Sequence, residues 1–244
     1  MIPDLLADIS PRSWLLIIYA FDFTLISSFF HHRSFLKKNA DDFRAFILYF
    51  TSFFVLLFAI PVGFILLAFS QPLASLRGVG FQFGNSASGI LIVLIGIPVA
   101  ALLVFFSADS PGIKKNYPFS KKACESPRRF VLYEVSYLLL YYTAWEFTFR
   151  GVFLFTLIQL MGENSEGIIA AIMIQTIIAT VYHLGHPPIE ILGALLGSII
   201  FGVIAYATQS ILYTIFLHAF IGILNDTVIY LRHHKDSKAS GSLS

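Results

Sequence analysis

Ionisable residues interrupt apolar stretches in the second half of the chain, and their types are those that catalyse hydrolysis. A charged side chain at the centre of a bilayer costs about 2.5–3.5 kcal/mol even on a mild scale, so each needs a partner or a water-filled cavity. The candidates for chemistry are Glu146, Arg150, His183, His218, Asn225 and Asp226.

Glu146 and Arg150 stand four residues apart in one apolar stretch. On a helix this spacing places both side chains on one face, where they can form an ion pair. Two interpretations stay open. The pair can be structural, allowing two polar residues to exist in lipid, or it can be an active-site carboxylate whose position an arginine fixes.

His183 ends an apolar stretch and is followed by the helix-breaking Pro187 and Pro188, after which Glu190 opens the next stretch. A histidine at such a boundary can be a polar cap or a functional imidazole. Glu190 can be present only because the first turn of a helix favours a carboxylate.

His218 lies inside the last apolar stretch, with Gly222 one turn further on and Asn225 and Asp226 about two turns further on. Gly222 is expected to leave space above the imidazole. Asn225 or Asp226 is expected to orient the imidazole from the same helix. The alternative is an interhelical hydrogen bond with no catalytic role.

These side chains meet only if the last four apolar stretches pack as a bundle. A carboxylate can then take a proton from water while imidazoles bind a metal or a developing oxyanion. No G-x-S-x-G sequence lies beside the histidines and no H-E-x-x-H is present, so the patterns of a serine hydrolase and of a zincin are missing. A proton-coupled transporter uses the same residue types.

The composition of the chain indicates an integral membrane protein. Of its 244 residues, 57% are hydrophobic and only 12% are charged, with a mean hydropathy of +0.79. Soluble domains carry about 25% charged residues. These values exclude a soluble globular enzyme, a disordered protein and a nucleic-acid binder, and the lone Cys124 excludes an internal disulfide and a thiolate metal cage.

Crossing a bilayer takes about 20 apolar residues in a helix. The sequence predicts an all-α, multi-pass membrane bundle of about seven helices. The first stretch is short and contains Asp22, so it can instead lie in the interface. The seven stretches cover residues 14–30, 45–70, 88–107, 131–160, 167–184, 190–207 and 210–231.

The basic residues favour one orientation. Most of the 16 fall in segments 31–44 and 108–130 and after residue 231, which seven spans place on one side. The positive-inside rule then predicts an outer N-terminus and a cytoplasmic C-terminus. The predicted organisation is N-terminal helices over 1–127, a core over 128–232 and a polar cytoplasmic tail over 233–244.

The segment from Ala144 to Gly151, Ala-Trp-Glu-Phe-Thr-Phe-Arg-Gly, resembles the first motif of the CPBP intramembrane protease family. That family includes the type II CAAX prenyl endopeptidases and the Abi group. Its pattern is Glu-Glu-x-x-x-Arg, then Phe-x-x-x-His, then a final helix with a His and a downstream Asn or Asp. His183 and His218 match the second and third motifs in order, so the resemblance covers about residues 128–231.

The departures from the pattern bear on activity. Trp145 stands where the family has its first Glu, which is thought to activate water. Ala179 replaces the Phe of the second motif, and Gly222 stands where the family often has Asn. The resemblance thus leaves two readings: a divergent enzyme in which Glu146 serves as the base, or a protein that kept the fold and lost peptidase activity.

The resemblance implies an intramembrane endopeptidase and a role for each matching residue. Glu146 would be the base or its partner, and Arg150 would fix that carboxylate. His183 and His218 would stabilise the oxyanion or, together with Glu146, hold a metal. Zinc is the expected ion, because two His and one Glu suit it, and a metal-free mechanism is equally open.

In the same reading Asn225 or Asp226 supports His218. The expected partners are the lipid bilayer and a membrane-associated peptide or protein substrate, prenylated or bacteriocin-like, with no nucleic acid. The alternatives are a catalytically inactive membrane scaffold and a small proton-coupled transporter.

Overall fold

The computed structural model describes residues 10–30, 35 and 38–241. That part of the chain is helical and contains no β-strand, which confirms the all-α prediction. A short 3₁₀ helix, Lys121–Glu125, lies in the loop before α6. The helices are α1 (Pro11–Phe30), α2 (Phe43–Ala68), α3 (Pro72–Gly78), α4 (Ser86–Ser107), α5 (Pro111–Asn116), α6 (127–161), α7 (Ser165–Val181), α8 (Pro188–Thr208) and α9 (Leu212–Gly241).

Four helices of the described part, α2, α4, α8 and α9, are long and apolar enough to cross a membrane, and the chain is an integral membrane protein. A helix covers most or all of each of the seven predicted stretches. The count of seven spans and the orientation of the termini stay predictions. Arg33 and Lys37 of the first basic segment, and residues 242–244 of the predicted tail, lie outside the described residues.

Helix α6 positions much of the candidate site, and it is not a regular α-helix. Two stretches, Tyr137–Tyr142 and Phe147–Phe153, are π-helical. Such wide turns are rare and often occur at functional sites. A similar turn in α2 contains Leu57, whose carbonyl accepts hydrogen bonds from the hydroxyls of Tyr19 (3.0 Å) and Thr148 (3.3 Å). The carbonyl therefore ties α1, α2 and α6 together.

An aromatic layer packs α6 against α2. Phe50 stacks on Tyr137 with ring centroids 4.9 Å apart, and Phe53 stacks on Tyr141 at 4.5 Å. Trp145 continues the layer, 6.1 Å from Phe53. Because these large side chains occupy one face of α6, other faces of the helix are left to meet α8 and α9.

Helices α6 and α9 run antiparallel along a shared interface. Near the end of the interface that is predicted to be cytoplasmic, Phe130 stacks on Tyr230 with centroids 4.4 Å apart. Three turns further along α6, the ring of Tyr142 lies 4.7 Å from the ring of His218. This register places the middle of α6 opposite the middle of α9.

Helix α4 supports the other side of α9 through two glycines. A Cβ at Gly89 would lie 2.1 Å from the ring of Tyr213, and one at Gly96 would lie 2.8 Å from Leu217. Small residues allow membrane helices to approach closely. The absence of a side chain at these two positions of α4 thus lets α9 pack close to it and helps to hold His218 in place.

Candidate active site

The centre of the site is a hydrogen bond between helices. Nδ1 of His218 lies 2.6 Å from Oε1 of Glu146. Since a carboxylate only accepts, the proton of the bond belongs to Nδ1, which leaves Nε2 as the nitrogen that can take a proton. The Glu146 side chain is fully buried and that of His218 is 25% exposed. The imidazole is therefore the member of the pair that reagents can reach.

Arg150 forms an ion pair with the Glu146 carboxylate. Its Nη1 lies 3.3 Å from Oε1 of Glu146, and its Nη2 donates to the Ser198 hydroxyl at 3.0 Å. The guanidinium also lies over the Phe201 ring, 5.6 Å from its centroid. The predicted spacing of Glu146 and Arg150 does place them in an ion pair, and α8 contributes a hydroxyl that sequence reasoning missed.

The ion pair is buried at a cost. Oε2 of Glu146 and Nε of Arg150 are buried and have no hydrogen-bond partner among the described residues. Removing charges from water costs several kcal/mol per ion, and a buried pair regains this only with good geometry. An ion pair that leaves buried polar atoms without hydrogen bonds gives little net stability. We therefore expect the pair to be present because it orients His218.

Two further side chains pack around the imidazole of His218. Tyr142 lies against one side, and the ring of Phe201 lies 5.7 Å away. Gly222 does not leave an empty space above the imidazole, as the sequence suggested, because a Cβ there would meet the Tyr142 hydroxyl at 1.7 Å. The sequence could have indicated Tyr142, because it lies four residues before Glu146 and therefore on the same face of the helix.

His183 sits beside Trp145 instead of a carboxylate. The ring of Trp145 meets that of His183 edge-on at 5.3 Å. Nδ1 of His183 lies 2.9 Å from the Ala179 carbonyl and must donate to it. Position 145, where the resemblance expects a water-activating Glu, therefore faces His183 but carries the indole of Trp145. The neighbouring Glu146 faces His218 instead.

Asn225 and Asp226 do not support His218, and the structure corrects that interpretation. The amide of Asn225 donates to Asp226 at 3.2 Å, and His218 takes its orienting hydrogen bond from Glu146. The reason is distance along the helix axis, because residues seven or eight positions apart are separated by about 10–12 Å. The partner had to come from another helix.

A second polar cluster, formed by Tyr117, His186 and Glu190, lies next to His183, and sequence reasoning missed it. Oε1 of Glu190 accepts from the Tyr117 hydroxyl at 2.5 Å and lies 2.7 Å from Nδ1 of His186. The rings of His186 and His183 are 5.8 Å apart. Glu190 is therefore more than a first-turn carboxylate, since it links the loop after α5 to the turn that bears His183.

The loop that carries Tyr117 is itself partly buried. Burial, with the nearby Glu190 charge, raises the pKa of Tyr117 well above its usual value, so the phenol remains a donor. Burial also lowers the pKa of Lys121, an effect that the Asp226 carboxylate partly opposes. Asp226 thus acts electrostatically on the inner loop.

The described residues do not fit the zinc site that the sequence suggested. No three histidine, cysteine or carboxylate side chains of this part of the chain come close enough together to hold a metal ion. Oε1 of Glu146 already faces both His218 and Arg150, and His183 faces Trp145. A zinc site needs its ligands at one point, and these three side chains face different partners. Zinc therefore remains a prediction made from the sequence alone.

Comparison with known families supports the sequence interpretation. Residues 127–224 match the model of a family described as type II CAAX prenyl endopeptidase Rce1-like. The match covers less than half of the chain but includes Glu146, Arg150, His183 and His218, and it confirms the resemblance to the CPBP family. No curated protein and no solved structure matches the chain.

Proposed function

We propose that the region of residues 127–224, which matches the model of the Rce1-like type II CAAX prenyl endopeptidase family, cleaves peptide bonds of membrane-associated substrates. One observation carries the proposal. A fully buried carboxylate, Glu146, accepts a hydrogen bond from Nδ1 of a partly exposed histidine, His218. This arrangement leaves the other imidazole nitrogen, Nε2, free to take a proton.

In the proposed reaction His218 is the general base. Nε2 takes a proton from water while the water oxygen attacks the scissile carbonyl carbon, and the carbonyl oxygen becomes an oxyanion. The intermediate then collapses, the carbon–nitrogen bond breaks, and His218 returns the proton to the leaving amine. Glu146 keeps its charge throughout, fixing the tautomer and stabilising the imidazolium, as the carboxylate does in a catalytic triad.

Arg150 and His183 have separate roles in this scheme. Arg150 keeps the Glu146 carboxylate in one position through its ion pair. Since Nδ1 of His183 is committed to the Ala179 carbonyl, its Nε2 donates a hydrogen bond to an oxyanion only when the ring is protonated. Glu146 replaces the absent first Glu of the family by acting through His218, not by reaching His183.

The substrate class follows from the family description and the membrane location. A prenylated C-terminus anchors a peptide to the bilayer, where a membrane-embedded site can reach it. We therefore propose a lipid-modified peptide end as the substrate, approached from the cytoplasmic side that the basic loops predict.

The test uses the purified full-length chain in liposomes with a farnesylated, internally quenched peptide ending in a CAAX sequence. Wild-type protein should release fluorescence, and His218→Gln should abolish the release while keeping the thermal unfolding midpoint. Asp109→Asn is the matched control and should cleave normally. Asp109 is exposed, and its ion pairs with Lys114 and Arg232 lie at the surface. Equal cleavage by His218→Gln would refute the mechanism.

A second candidate function is a family member that binds such peptides without cleaving them. The indole of Trp145 favours it, because this side chain fills the place beside His183 where the family carries its water-activating Glu. Binding of the farnesylated peptide with no product from any CAAX sequence would decide for this candidate.

A further inference from the structure

A buried amide on α7 contacts the residue of α8 that anchors Arg150, and the proposed reaction has not used it. Gln175 is fully buried, and its Nε2 donates to the backbone carbonyl of Ser198 at 3.0 Å. The hydroxyl of the same Ser198 accepts from Nη2 of Arg150 at 3.0 Å. Gln175 is therefore linked to the Arg150 guanidinium through a single residue.

The atoms around the Gln175 amide fix its orientation. Nε2 also donates to the backbone carbonyl of Ile172 at 3.0 Å. Carbonyl oxygens only accept, so the nitrogen of the amide, and not its oxygen, must face Ile172 and Ser198. The oxygen, Oε1, is buried and has no hydrogen-bond partner among the described residues. Because an unsatisfied buried acceptor costs about 1–3 kcal/mol, stability alone does not explain an amide at this position.

The amide contacts the turn of α8 that meets Arg150. A Cβ at Gly202, one turn after Ser198, would lie 2.9 Å from Nε2 of Gln175. The ring of Phe201, on the same turn, lies 5.6 Å from the Arg150 guanidinium. The two groups of α8 that contact the guanidinium, a hydroxyl and an aromatic ring, therefore both lie on the turn that Gln175 holds.

The ion pair passes this restraint on to the proposed base. Nη1 of Arg150 lies 3.3 Å from Oε1 of Glu146, and the same oxygen lies 2.6 Å from Nδ1 of His218. A chain of polar contacts thus joins α7, α8, α6 and α9. Its members are buried as far as Glu146, and His218 is 25% exposed. A shift of α8 therefore moves the guanidinium and the carboxylate oxygen that orients the imidazole.

We infer that Gln175 is a positioning residue for the Glu146–His218 pair. Its amide holds the turn of α8 that contacts Arg150, and the guanidinium in turn holds the Glu146 carboxylate. The consequence for cleavage rests on the proposed function. Side chains that orient the groups of a site typically account for about 10–100-fold in activity, and a displacement of about 1 Å can cost about 100-fold.

The test compares Gln175→Met with wild type on the farnesylated quenched peptide. Methionine has nearly the same length and removes the donor. Both backbone carbonyls that lose the amide lie within helices and keep their intrahelical hydrogen bonds, so the unfolding midpoint should change little. KM should stay the same, while kcat should fall about 10–100-fold.

Thr176→Val is the matched control for Gln175→Met. Thr176 is equally buried, and its hydroxyl accepts from the same Nε2 at 2.8 Å. This hydroxyl is not one of the contacts that lead from Gln175 to Arg150, so Thr176→Val should keep kcat. An equal loss of kcat in both variants would show a general effect of polar groups on α7 and would contradict the inference.

A second variant keeps the amide and displaces it. Gly202→Ala places a methyl group 2.9 Å from Nε2 of Gln175, the end of a flexible side chain, which can move at little cost in stability. It should lower kcat, whereas Gly193→Ala on the same helix, whose added Cβ meets no described atom within 4 Å, should not. The double variant with Gln175→Met should lose little more than Gln175→Met alone, because both changes remove one interaction.

The imidazole of His218 gives a readout besides turnover. In protein labelled with ¹⁵N-histidine, the proton between Nδ1 and Glu146 gives a resonance that His218→Gln removes. Gln175→Met should shift this resonance, and the two control variants should not. The inference is overturned if Gln175→Met keeps the wild-type resonance or, where the wild type cleaves, its kcat. If the wild type cleaves no peptide, the proposed function fails, and the resonance alone decides the inference.

Discussion

Replacing Glu146 by Gln separates the structural role of the carboxylate from its chemical role. The amide keeps nearly the same shape but carries no charge. Arg150, which is 2% exposed, then remains as a buried cation that faces the hydroxyl of Ser198 and the ring of Phe201 but no carboxylate from Glu146. We expect the free energy of unfolding to fall by about 3–5 kcal/mol, the cost of removing one member of a buried pair.

The same substitution should also remove activity. A glutamine presents either a donor or an acceptor to Nδ1 of His218, so the tautomer with a free Nε2 is no longer enforced. In a serine protease triad, the corresponding acid-to-amide change costs about 10⁴ in kcat through the wrong tautomer. We expect a loss of about 10³–10⁴ here, measured at a temperature where the variant is folded.

The double variant Glu146→Gln, Arg150→Met decides between the two roles. Replacing a buried ion pair by neutral groups of similar volume is often neutral for stability, so the unfolding midpoint should recover toward wild type. Activity should stay lost, because His218 still lacks its carboxylate. If the double variant cleaved the farnesylated peptide at the wild-type rate, the ion pair would be only structural and the reasoning would be refuted.

Three further predictions concern the surroundings of the site. Trp145→Glu should increase cleavage relative to Trp145→Gln, which opens the same space beside His183 without a charge; equal rates would contradict the family role of this position. Tyr117→Phe removes a donor to Glu190, which holds the turn that bears His183, and it should lower kcat. Recovery of kcat at a lower temperature would indicate that the substitution loosens this turn. Cys124, whose pKa burial raises to about 11, should react with maleimide faster at each higher pH up to that value, and only from the cytoplasmic face; labelling from outside would overturn the orientation.

The helices were predictable from the sequence because apolar length is a local property. The Glu146–Arg150 pair was predictable for the same reason, since both residues lie on one helix four positions apart. The wide turns of α6 were not, because they depend on packing against other helices.

The partner of His218 was the main error of sequence reasoning. Asn225 and Asp226 lie near it in the sequence, but a helix separates them along its axis. Glu146 lies 72 residues away, and only the antiparallel packing of α6 and α9 brings its carboxylate to 2.6 Å. Tyr117 and Glu190 were missed for a similar reason, since their contact joins elements 73 residues apart.

The sequence separation of Glu146 and His218 has a consequence for the order in which the protein is made. Helix α6 is not among the four described helices apolar enough to cross by themselves. It carries its own counter-ion, so the Glu146 carboxylate and the Arg150 guanidinium can enter lipid together as a neutral pair. The imidazole is synthesised 72 residues later, on the last helix. A ribosome-bound chain therefore contains the carboxylate before it contains the proposed base, and the proposed mechanism can operate only after synthesis of the last helix.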